Sequence, residues 1–405
     1  MLPTMLDFDV AQARLAAAGP SPAITESCPL NQAGGRVLAQ TLFAALNLPP
    51  ADNSAMDGYA IRHADYQPGT RFPVQQRCFA GDTPEDLQPG KTIRLFTGSL
   101  IPQGADTVVM QEDCIETNNE MEIVRTPRAG SHIRPKGEDV EEESQLLAKG
   151  TLIGAAEIAM LASQGYAEVT VYTRLKVGIL TTGDELVDAA QTSGTGQIYN
   201  SNGPMLAAMV QNMGAQVVHN LHARDTPASH EAAFATLVQD CDLILTVGGV
   251  SVGEKDLVKP TIEQVGGTLD LWRVCMKPGR PVALAHVQNK PVVCLPGNPV
   301  SAYVVFALLV SPLLRNMQGR AEPMPPVQYG KLNTNRGFNG TREEFLRVQA
   351  ESSAAEGMRL TPHPKQGSGI ISSLPWATGF ARIPPNMQVD DGATVAYYDK
   401  AHWLA

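Results

Sequence analysis

The hydrophobic pattern of the chain changes its period several times. Apolar residues first recur at helical spacing over residues 8–18, with Asp7 placed to cap this helix and Gly19-Pro20 placed to end it. Residues 51–139 instead contain short β-branched runs separated by glycine and proline, and Asn118-Asn119 marks a hairpin turn within them. This part of the pattern predicts an inserted, mainly β domain.

Helical spacing returns after the insertion. Residues 154–165 predict a helix with Ile158, Leu161 and Ala162 on one face. Together with the segment before the insertion, this helix predicts a discontinuous linking domain, which follows an N-terminal helical segment. The predicted boundaries are residues 1–22 for the N-terminal helix, and residues 23–50 and 140–174 for the linking domain.

Strand and helix patterns alternate over residues 175–318. Strands are predicted at 177–180, 216–218 and 243–246, and helices at 203–213 and 229–239. This alternation predicts an α/β domain with a parallel-type sheet flanked by helices, in which ligands bind at the carboxyl ends of the strands. Residues 319–405 contain short strand-like runs that predict a C-terminal β-barrel-like domain. The expected fold is therefore multidomain, α/β and β.

Charge and cysteine content narrow the possible partners. The chain has 405 residues, a net charge of -10 and a pI of about 5.3, without a basic run, so nucleic acid and anionic membranes are disfavoured. Its six cysteines are far apart and form no C-x-x-C pair, which indicates reduced thiols. No secretory signal pattern is visible, and the longest apolar run, residues 302–314, is too short to span a bilayer. We therefore expect a cytoplasmic protein without a membrane partner.

Residues 52–60 concentrate polar groups in a turn that follows Pro49-Pro50. The stretch contains Asp52, Asp57, an amide, a hydroxyl and Gly58. A glycine backbone can approach a bound anion or a metal shell more closely than other residues can. A solvated turn with an Asx cap explains the same residues, and for the stretch taken alone it is the simpler interpretation.

Two loops follow predicted strands of the α/β domain. Asp184 and Glu185 come after the first strand, where they could bind Mg²⁺ or the edge of a heterocyclic ring, or could cap a helix. A second loop contains Gly248, Gly249 and Ser251, and its backbone donors could cradle a phosphate. Tight turns also need glycine for steric reasons alone, so this loop is a weak indication by itself.

Two proline-containing turns predict an anion site. Lys277 and Arg280 are held on a stiff Pro-Gly turn, which suits an oxyanion better than it suits a solvated basic loop. Residues 295–299 lead into an apolar helix, with Asn298 as the candidate N-cap and a proline at the first helical position. The free N–H groups of this turn and the Ser301 hydroxyl would face an anion bound above them.

In their order along the chain, these motifs resemble those of the molybdopterin molybdenumtransferases, the family of MoeA and the E domain of gephyrin, over nearly the whole length. The resemblance implies an enzyme that brings adenylylated molybdopterin and molybdate together. It implies Mg²⁺ as cofactor, hydrolysis of the pyrophosphate linkage, insertion of molybdate and release of AMP. It also implies a homodimer whose clefts contain residues from both chains, with other molybdenum cofactor biosynthesis proteins as further candidate partners.

The resemblance assigns roles to single residues. The positions that match catalytic ones are Asp57, Thr97, Asp139, Glu185, Asp225, Asp256 and Lys277. The positions implied in binding the pterin substrate are Asp184, Glu185, Gly248, Gly249, Ser251, Pro296, Gly297 and Asn298. Molybdate is assigned to Arg280, Ser301, Arg347 and Ser368, and the metal ion to Asp57, Asp225 and Asp256. Arg273 stands where relatives often carry lysine, and its forked guanidinium changes the contact that this position can make.

Two alternatives remain at this stage. A molybdopterin adenylyltransferase of the same fold would share the loops of the α/β domain, but it would be a single short domain without residues 1–170. A non-catalytic scaffold of the gephyrin type would carry a fused partner domain and a linker, which this sequence does not show. The length of the chain therefore favours the insertion enzyme.

Overall fold

A computed structural model describes residues 5–249, 256–355 and 357–405. The chain forms two compact units. The large unit consists of the described part of Met1–Gln40 together with Lys149–Ala155 and Glu168–Ala405. The inserted unit consists of Thr41–Ala148 and Ala156–Ala167.

The first helix begins as the sequence predicts. Asp7 caps it, because the Asp7 carboxylate accepts hydrogen bonds from the N–H of Asp9 at 2.9 Å and of Val10 at 3.3 Å. The helix ends at Ala16, earlier than predicted. The helices are α1 (Phe8–Ala16), α2 (Ala155–Ser163), α3 (Asn202–Asn212), α4 (Pro227–Asp240), α5 (Val258–Gln264), α6 (Pro299–Val305), α7 (Ser311–Met317), α8 (Ser373–Trp376) and α9 (Lys400–Trp403).

The strands are mostly short and are numbered here in chain order. Up to the start of the α/β sheet they are β1 (Thr25–Pro29), β2 (Leu42–Phe43), β3 (Asn53–Ser54), β4 (Gly58–Ile61), β5 (Arg71–Cys78), β6 (Thr92–Leu95), β7 (Thr107–Met110), β8 (Cys114–Thr117), β9 (Glu120–Ile123), β10 (Ile133–Arg134), β11 (Gln145–Leu147) and β12 (Glu168–Tyr172). The later ones are β13 (Lys176–Thr182), β14 (Leu186–Val187), β15 (Ile198–Tyr199), β16 (Gln216–Ala223), β17 (Leu243–Val247), β18 (Thr268–Trp272), β19 (Met276–Lys277), β20 (Ala283–Val287), β21 (Lys290–Leu295), β22 (Gln328–Leu332), β23 (Glu343–Ser353), β24 (Gly357–Pro362), β25 (Gly379–Ile383) and β26 (Thr394–Asp399).

The large unit is built on a six-stranded sheet in the order β16-β13-β17-β21-β20-β18. Its first four strands are parallel, as predicted, whereas β20 and β18 pair antiparallel. Alternate residues of β17 enter different cores: Leu245 packs in the core that contains Phe8, and Ile244 in the core that contains Phe234. Burial of both faces explains why these strands have continuous apolar sequences.

The longest apolar segment forms a continuous helix over Pro299–Met317, which includes a π-helical turn at Phe306–Val310. By length and composition this helix of 19 residues could cross a membrane, so the expectation that the apolar run is too short was wrong. However, 89% of its apolar window is buried, and Leu308 and Leu313 pack in the same core as α1. This burial explains the apolar composition, because the helix lies in the core of the large unit.

The C-terminal part of the large unit is a closed barrel, which confirms the predicted barrel-like domain. Strands β23, β24, β22, β26 and β25 follow one another, and β25 pairs back onto β23. Leu346, Leu360 and Tyr397 belong to its hydrophobic core. Strand β19 pairs with the start of β23, so the turn that carries Lys277 lies against the barrel.

The inserted unit contains a six-stranded sheet in the order β7-β4-β6-β5-β9-β8. The predicted hairpin joins β8 to β9, and Asn118 and Asn119 have φ values of 51° and 64° as this turn requires. The predicted apolar face of α2 was wrong in one position. Leu161 is buried and Ile158 is half-buried, but Ala162 is exposed, because the contacts of α2 lie on a narrower face.

Candidate functional site

Loops at the carboxyl ends of β13, β16, β17 and β21 enclose one cavity in the large unit, with a volume of about 490 Å³. This is the edge at which ligands bind to open α/β sheets. The cavity brings together sequence-predicted residues from four separate stretches of the chain. They are Glu185, Asp225, Gly248, Gly249, Asp256, Gly297 and Asn298.

The Glu185 carboxylate is held close to the backbone of the preceding turn. Gly183 has a φ of 134°, and a Cβ there would collide with the Glu185 carboxylate. The N–H of Leu186 donates to Gly183 O at 3.3 Å, and β14 begins at Leu186. No helix starts here, so the helix-cap interpretation of this motif was wrong. Position 183 needs glycine for two reasons. Glycine tolerates the positive φ, and without a Cβ it leaves room for the Glu185 side chain over the turn.

Asp184 lies on the opposite side of the same turn. It lines a neighbouring cavity of about 470 Å³ together with His222 and Arg224. Its Oδ1 accepts a hydrogen bond from the N–H of Asp225 at 3.2 Å, which joins the ends of β13 and β16. Asp184 and Glu185 therefore face different cavities, although the sequence places them side by side.

The glycine loop begins where β17 ends. Gly248 has a φ of 91°, and a Cβ there would lie 2.9 Å from Thr182 Oγ1, so the position requires glycine. The N–H of Gly248 donates to Leu295 O at 3.2 Å, so the sheet already uses this donor and it is not free for a phosphate. Ser251 lies outside the described residues.

Asn298 and Pro299 occupy the N-cap and first positions of α6, as predicted. The Asn298 side chain makes no capping bond, however, and its Nδ2 donates to Ser368 Oγ at 3.2 Å. The amide therefore links the cavity to the loop that carries Ser368. Ser301 is buried in the first turn of α6, and Pro296 is buried and does not line the cavity.

The two cations of the Pro-Gly turn have different surroundings. Lys277 Nζ lies 2.9 Å from Glu344 Oε1, and both belong to paired residues of β19 and β23. Arg280 is exposed, and its guanidinium has no hydrogen-bond or ion-pair partner in the described parts of the chain. Arg280 is therefore the cation of this turn that is available to an external anion.

Arg347 is buried, with 1% of its surface exposed. Its Nε donates to Ser373 Oγ at 3.2 Å, and its Nη2 donates to Lys365 O at 3.4 Å and to Gly367 O at 3.1 Å. Burial lowers the pKa of this guanidinium to about 10, so it stays charged at neutral pH. Arg347 thus fixes the loop that leads to Ser368.

In the inserted unit, the structure brings Asp57 and Thr97 together as a pair. Asp57 Oδ1 accepts hydrogen bonds from the Thr97 N–H and from Thr97 Oγ1, both at 2.8 Å. These bonds favour the carboxylate, so they hold the pKa of Asp57 below its usual value, with the backbone N–H as the larger cause. Asp139 is exposed, and its N–H donates to Leu48 O at 2.9 Å.

The hydrogen bonds between Asp57 and Thr97 should affect how stability depends on pH. Replacing Thr97 by Val removes the hydroxyl donor and keeps the backbone donor, so the pKa of Asp57 should rise toward its usual value. A lowered carboxyl pKa stabilises the folded state above the unfolded pKa, and this contribution is lost as the pH falls through the folded pKa. The variant should therefore be less stable at neutral pH. As the pH falls it should lose less stability than the native chain, and this loss should be complete at a higher pH. Thr97→Ser keeps the hydroxyl and is the control. An NMR titration measures the pKa of the Asp57 carboxyl in each chain. The prediction is refuted if both variants have the pKa of the native chain.

The carboxylates of the cavity supply the oxygen donors that Mg²⁺ prefers. Glu185, Asp225 and Asp256 all line it. Within the described residues, no three carboxylate, histidine or cysteine side chains are close enough to hold a metal by themselves. This donor set suits an ion that also takes oxygens from water and from a bound phosphate.

Three family models match the chain. They are the MoeA N-terminal region (domain I and II) over residues 6–165, a probable molybdopterin binding domain over residues 178–316, and the MoeA C-terminal region (domain IV) over residues 329–400. The molybdopterin molybdenumtransferase of Haemophilus influenzae is 35% identical over 370 residues, which cover 88% of this chain and 91% of that protein. The chain belongs to the molybdopterin molybdenumtransferase family.

Other members of the molybdopterin molybdenumtransferase family support the same assignment. The one from Nostoc sp. is 38% identical over 333 residues, covering 80% of this chain and 76% of that protein. The crystal structure of the molybdopterin biosynthesis moeA protein from Pyrococcus horikoshii OT3 has a TM-score of 0.83 and 28% identity, covering 98% of this chain and all of that one. A single-domain molybdopterin adenylyltransferase would not account for the matches at residues 6–165 and 329–400.

Several residues of the cavity wall were not predicted from the sequence, and three of them lie close together in the chain. Ile198, Tyr199 and Asn202 all line the cavity and lie in or just after β15. The sequence carries a weak signal for them, because an apolar pair followed by several polar residues precedes α3. Nothing in that pattern distinguishes a cavity wall from an ordinary strand-to-helix connection.

Proposed function

We propose that this chain inserts molybdate into adenylylated molybdopterin, with release of AMP and with Mg²⁺ as cofactor. The observation that carries the proposal is the cavity at the strand ends, in a chain of this family. It gathers Glu185, Asp225 and Asp256 next to the loops at Gly249 and Gly297. Carboxylates alone would repel the negatively charged phosphates of the substrate. A cation bound between the carboxylates and the phosphates would remove this repulsion.

Carboxylates from among Glu185, Asp225 and Asp256 would hold Mg²⁺ together with oxygens from water and from the bound phosphate, and would orient the attacking water. When bound, the ion supplies positive charge that polarises the phosphoanhydride of the substrate. One water adds to the anhydride, the P–O bond to AMP breaks, and a carboxylate takes up the proton that the water loses. Glu185 is the best placed of the three, because it is exposed to the cavity and held over Gly183.

Molybdate would bind near the Arg280 turn and the start of α6. Arg280 offers a free cation, and Ser368 is held by Asn298 at the edge of the cavity. Arg347 contributes by holding the Ser368 loop through its bonds to Lys365 and Gly367. The two dithiolene thiols of molybdopterin replace one oxide of molybdate, and their two protons leave with that oxide as water.

The test is a turnover assay with the full-length chain, adenylylated molybdopterin, Mg²⁺ and molybdate. We expect AMP and a molybdenum-loaded pterin in equal amounts, and much less AMP when molybdate is omitted. Intact substrate after prolonged incubation with both ions would contradict the proposal. Tungstate in place of molybdate shows which oxyanion the site prefers.

The proposal includes a homodimer in the cytoplasm. The homodimer rests on the resemblance to the family, and the cytoplasmic location is supported by six cysteines that are all free thiols. Native mass spectrometry should give twice the 43.3 kDa mass of the chain. A single-chain mass at micromolar concentration would argue against the dimer.

A further inference from the structure

One buried polar atom in the cavity wall has no partner. Asn202, the first residue of α3, lines the cavity and is 8% exposed. Its Nδ2 donates to Gly297 O at 2.7 Å, and because a carbonyl oxygen only accepts, this bond fixes which way the amide points. Among the described residues, no donor reaches its Oδ1.

Asn200, which lies in the same segment between β15 and α3, shows how an asparagine with a structural role is hydrogen-bonded. Its Nδ2 donates to Thr181 Oγ1 at 2.8 Å, and its Oδ1 accepts from the N–H of Gly203 at 3.1 Å. Asn200 is therefore satisfied at both ends, whereas Asn202 is satisfied at one. A buried acceptor without a donor is costly, and at a binding site a ligand can supply the missing donor.

The surface beside Asn202 is apolar and open. Ile198 and Tyr199 line the same cavity, yet they remain 59% and 49% exposed. An aromatic and a branched apolar side chain can contact the face of a planar ring. A planar ring that carries an amino group at its edge would use both features of this wall.

We propose that Asn202 determines specificity, with its Oδ1 accepting a hydrogen bond from the exocyclic amino group of a heteroaromatic ring while Ile198 and Tyr199 contact the face of that ring. This inference rests on the proposed function, because adenylylated molybdopterin carries two amino-substituted rings, the pterin and the adenine. The chemistry that Asn202 recognises is the same in both. The experiment has to separate the two sources.

The test compares matched ring pairs on the full-length chain by calorimetry. The first pair is 6-hydroxymethylpterin and the corresponding lumazine, and the second pair is AMP and IMP. In each pair an oxygen replaces the exocyclic amino group of the ring. In one pair the amino-bearing ring should bind about tenfold or more tightly, because the oxo analogue leaves the buried acceptor unpaired. In Asn202→Leu this preference should disappear.

Asn212→Leu is the matched control, since Asn212 is exposed at the other end of α3 and should keep the preference. Asn202→Ala takes the place of the leucine variant if that one does not fold. A preference in the first pair identifies the pterin, and a preference in the second identifies the adenine. Equal affinities within both pairs, failure of all four rings to bind, or a preference that survives in the Asn202 variants would overturn the inference. AMP release by the native chain is measured in parallel, so a failure of this inference alone leaves turnover intact.

Discussion

The Glu185→Gln variant should release AMP about 100-fold more slowly than the native chain, the scale at which a positioned carboxylate contributes to proton transfer. Glutamine keeps the size of the side chain and its position over Gly183, but it removes the negative charge that faces the cavity. The substrate should still bind, because the other walls of the cavity are unchanged. The measurement is a single-turnover time course of AMP at saturating Mg²⁺ and molybdate.

Glu351→Gln is the matched control for this experiment. Glu351 is exposed on β23, away from the cavity, and its replacement removes the same charge. The control should release AMP at the native rate and unfold at the native temperature. A Glu185→Gln chain that keeps a rate within twofold of native would take Glu185 out of the reaction.

Arg347→Met should lower the free energy of unfolding by about 3 kcal/mol, because it removes three hydrogen bonds that a buried guanidinium donates. The carbonyls of Lys365 and Gly367 lose their bonds, and the Ser373 hydroxyl loses another. The Ser368 loop should loosen, so the requirement for molybdate should rise as well. Urea unfolding and molybdate-dependent AMP release measure the two effects on the same preparation.

Arg280→Met provides the contrast. Arg280 is exposed and unpaired among the described residues, so its loss should leave stability within about 0.5 kcal/mol of native. The molybdate concentration for half-maximal release should nevertheless rise about ten- to a hundredfold, because one charge-assisted contact is lost. The assignment of these roles fails if Arg280→Met is the less stable variant, or if Arg347→Met changes the molybdate requirement with native stability.

The sequence predicted those parts of the fold that depend on local pattern. The Asp7 cap and the Asn118-Asn119 turn are set by neighbouring residues, and both form as expected. The alternating strands and helices predicted the parallel sheet and the edge where its loops meet. The antiparallel pairing of β20 and β18 was not predicted, because strand direction at that edge depends on partners that are distant in the sequence.

Side-chain directions at the site were harder to predict. Asn298 has the sequence features of a capping residue, but Ser368 lies within its reach and takes its amide instead. Arg347 has the chemistry of an anion ligand, but the barrel buries it against backbone carbonyls. Both outcomes depend on contacts between segments far apart in the chain, which no local pattern contains.

The pairing of β1 with β12 has a consequence for synthesis on the ribosome. Pro29 pairs with Glu168 and Thr25 with Tyr172, so the first strand of the large unit must wait for a partner made after the inserted unit. At about 5–20 residues per second, this delay is on the order of ten seconds. If the inserted unit folds during that interval, it turns a long flexible loop into a compact one and reduces the entropy lost when the two strands meet. The rate of synthesis then sets the shortest time for which the unpaired edge of β1 is exposed to other nascent chains.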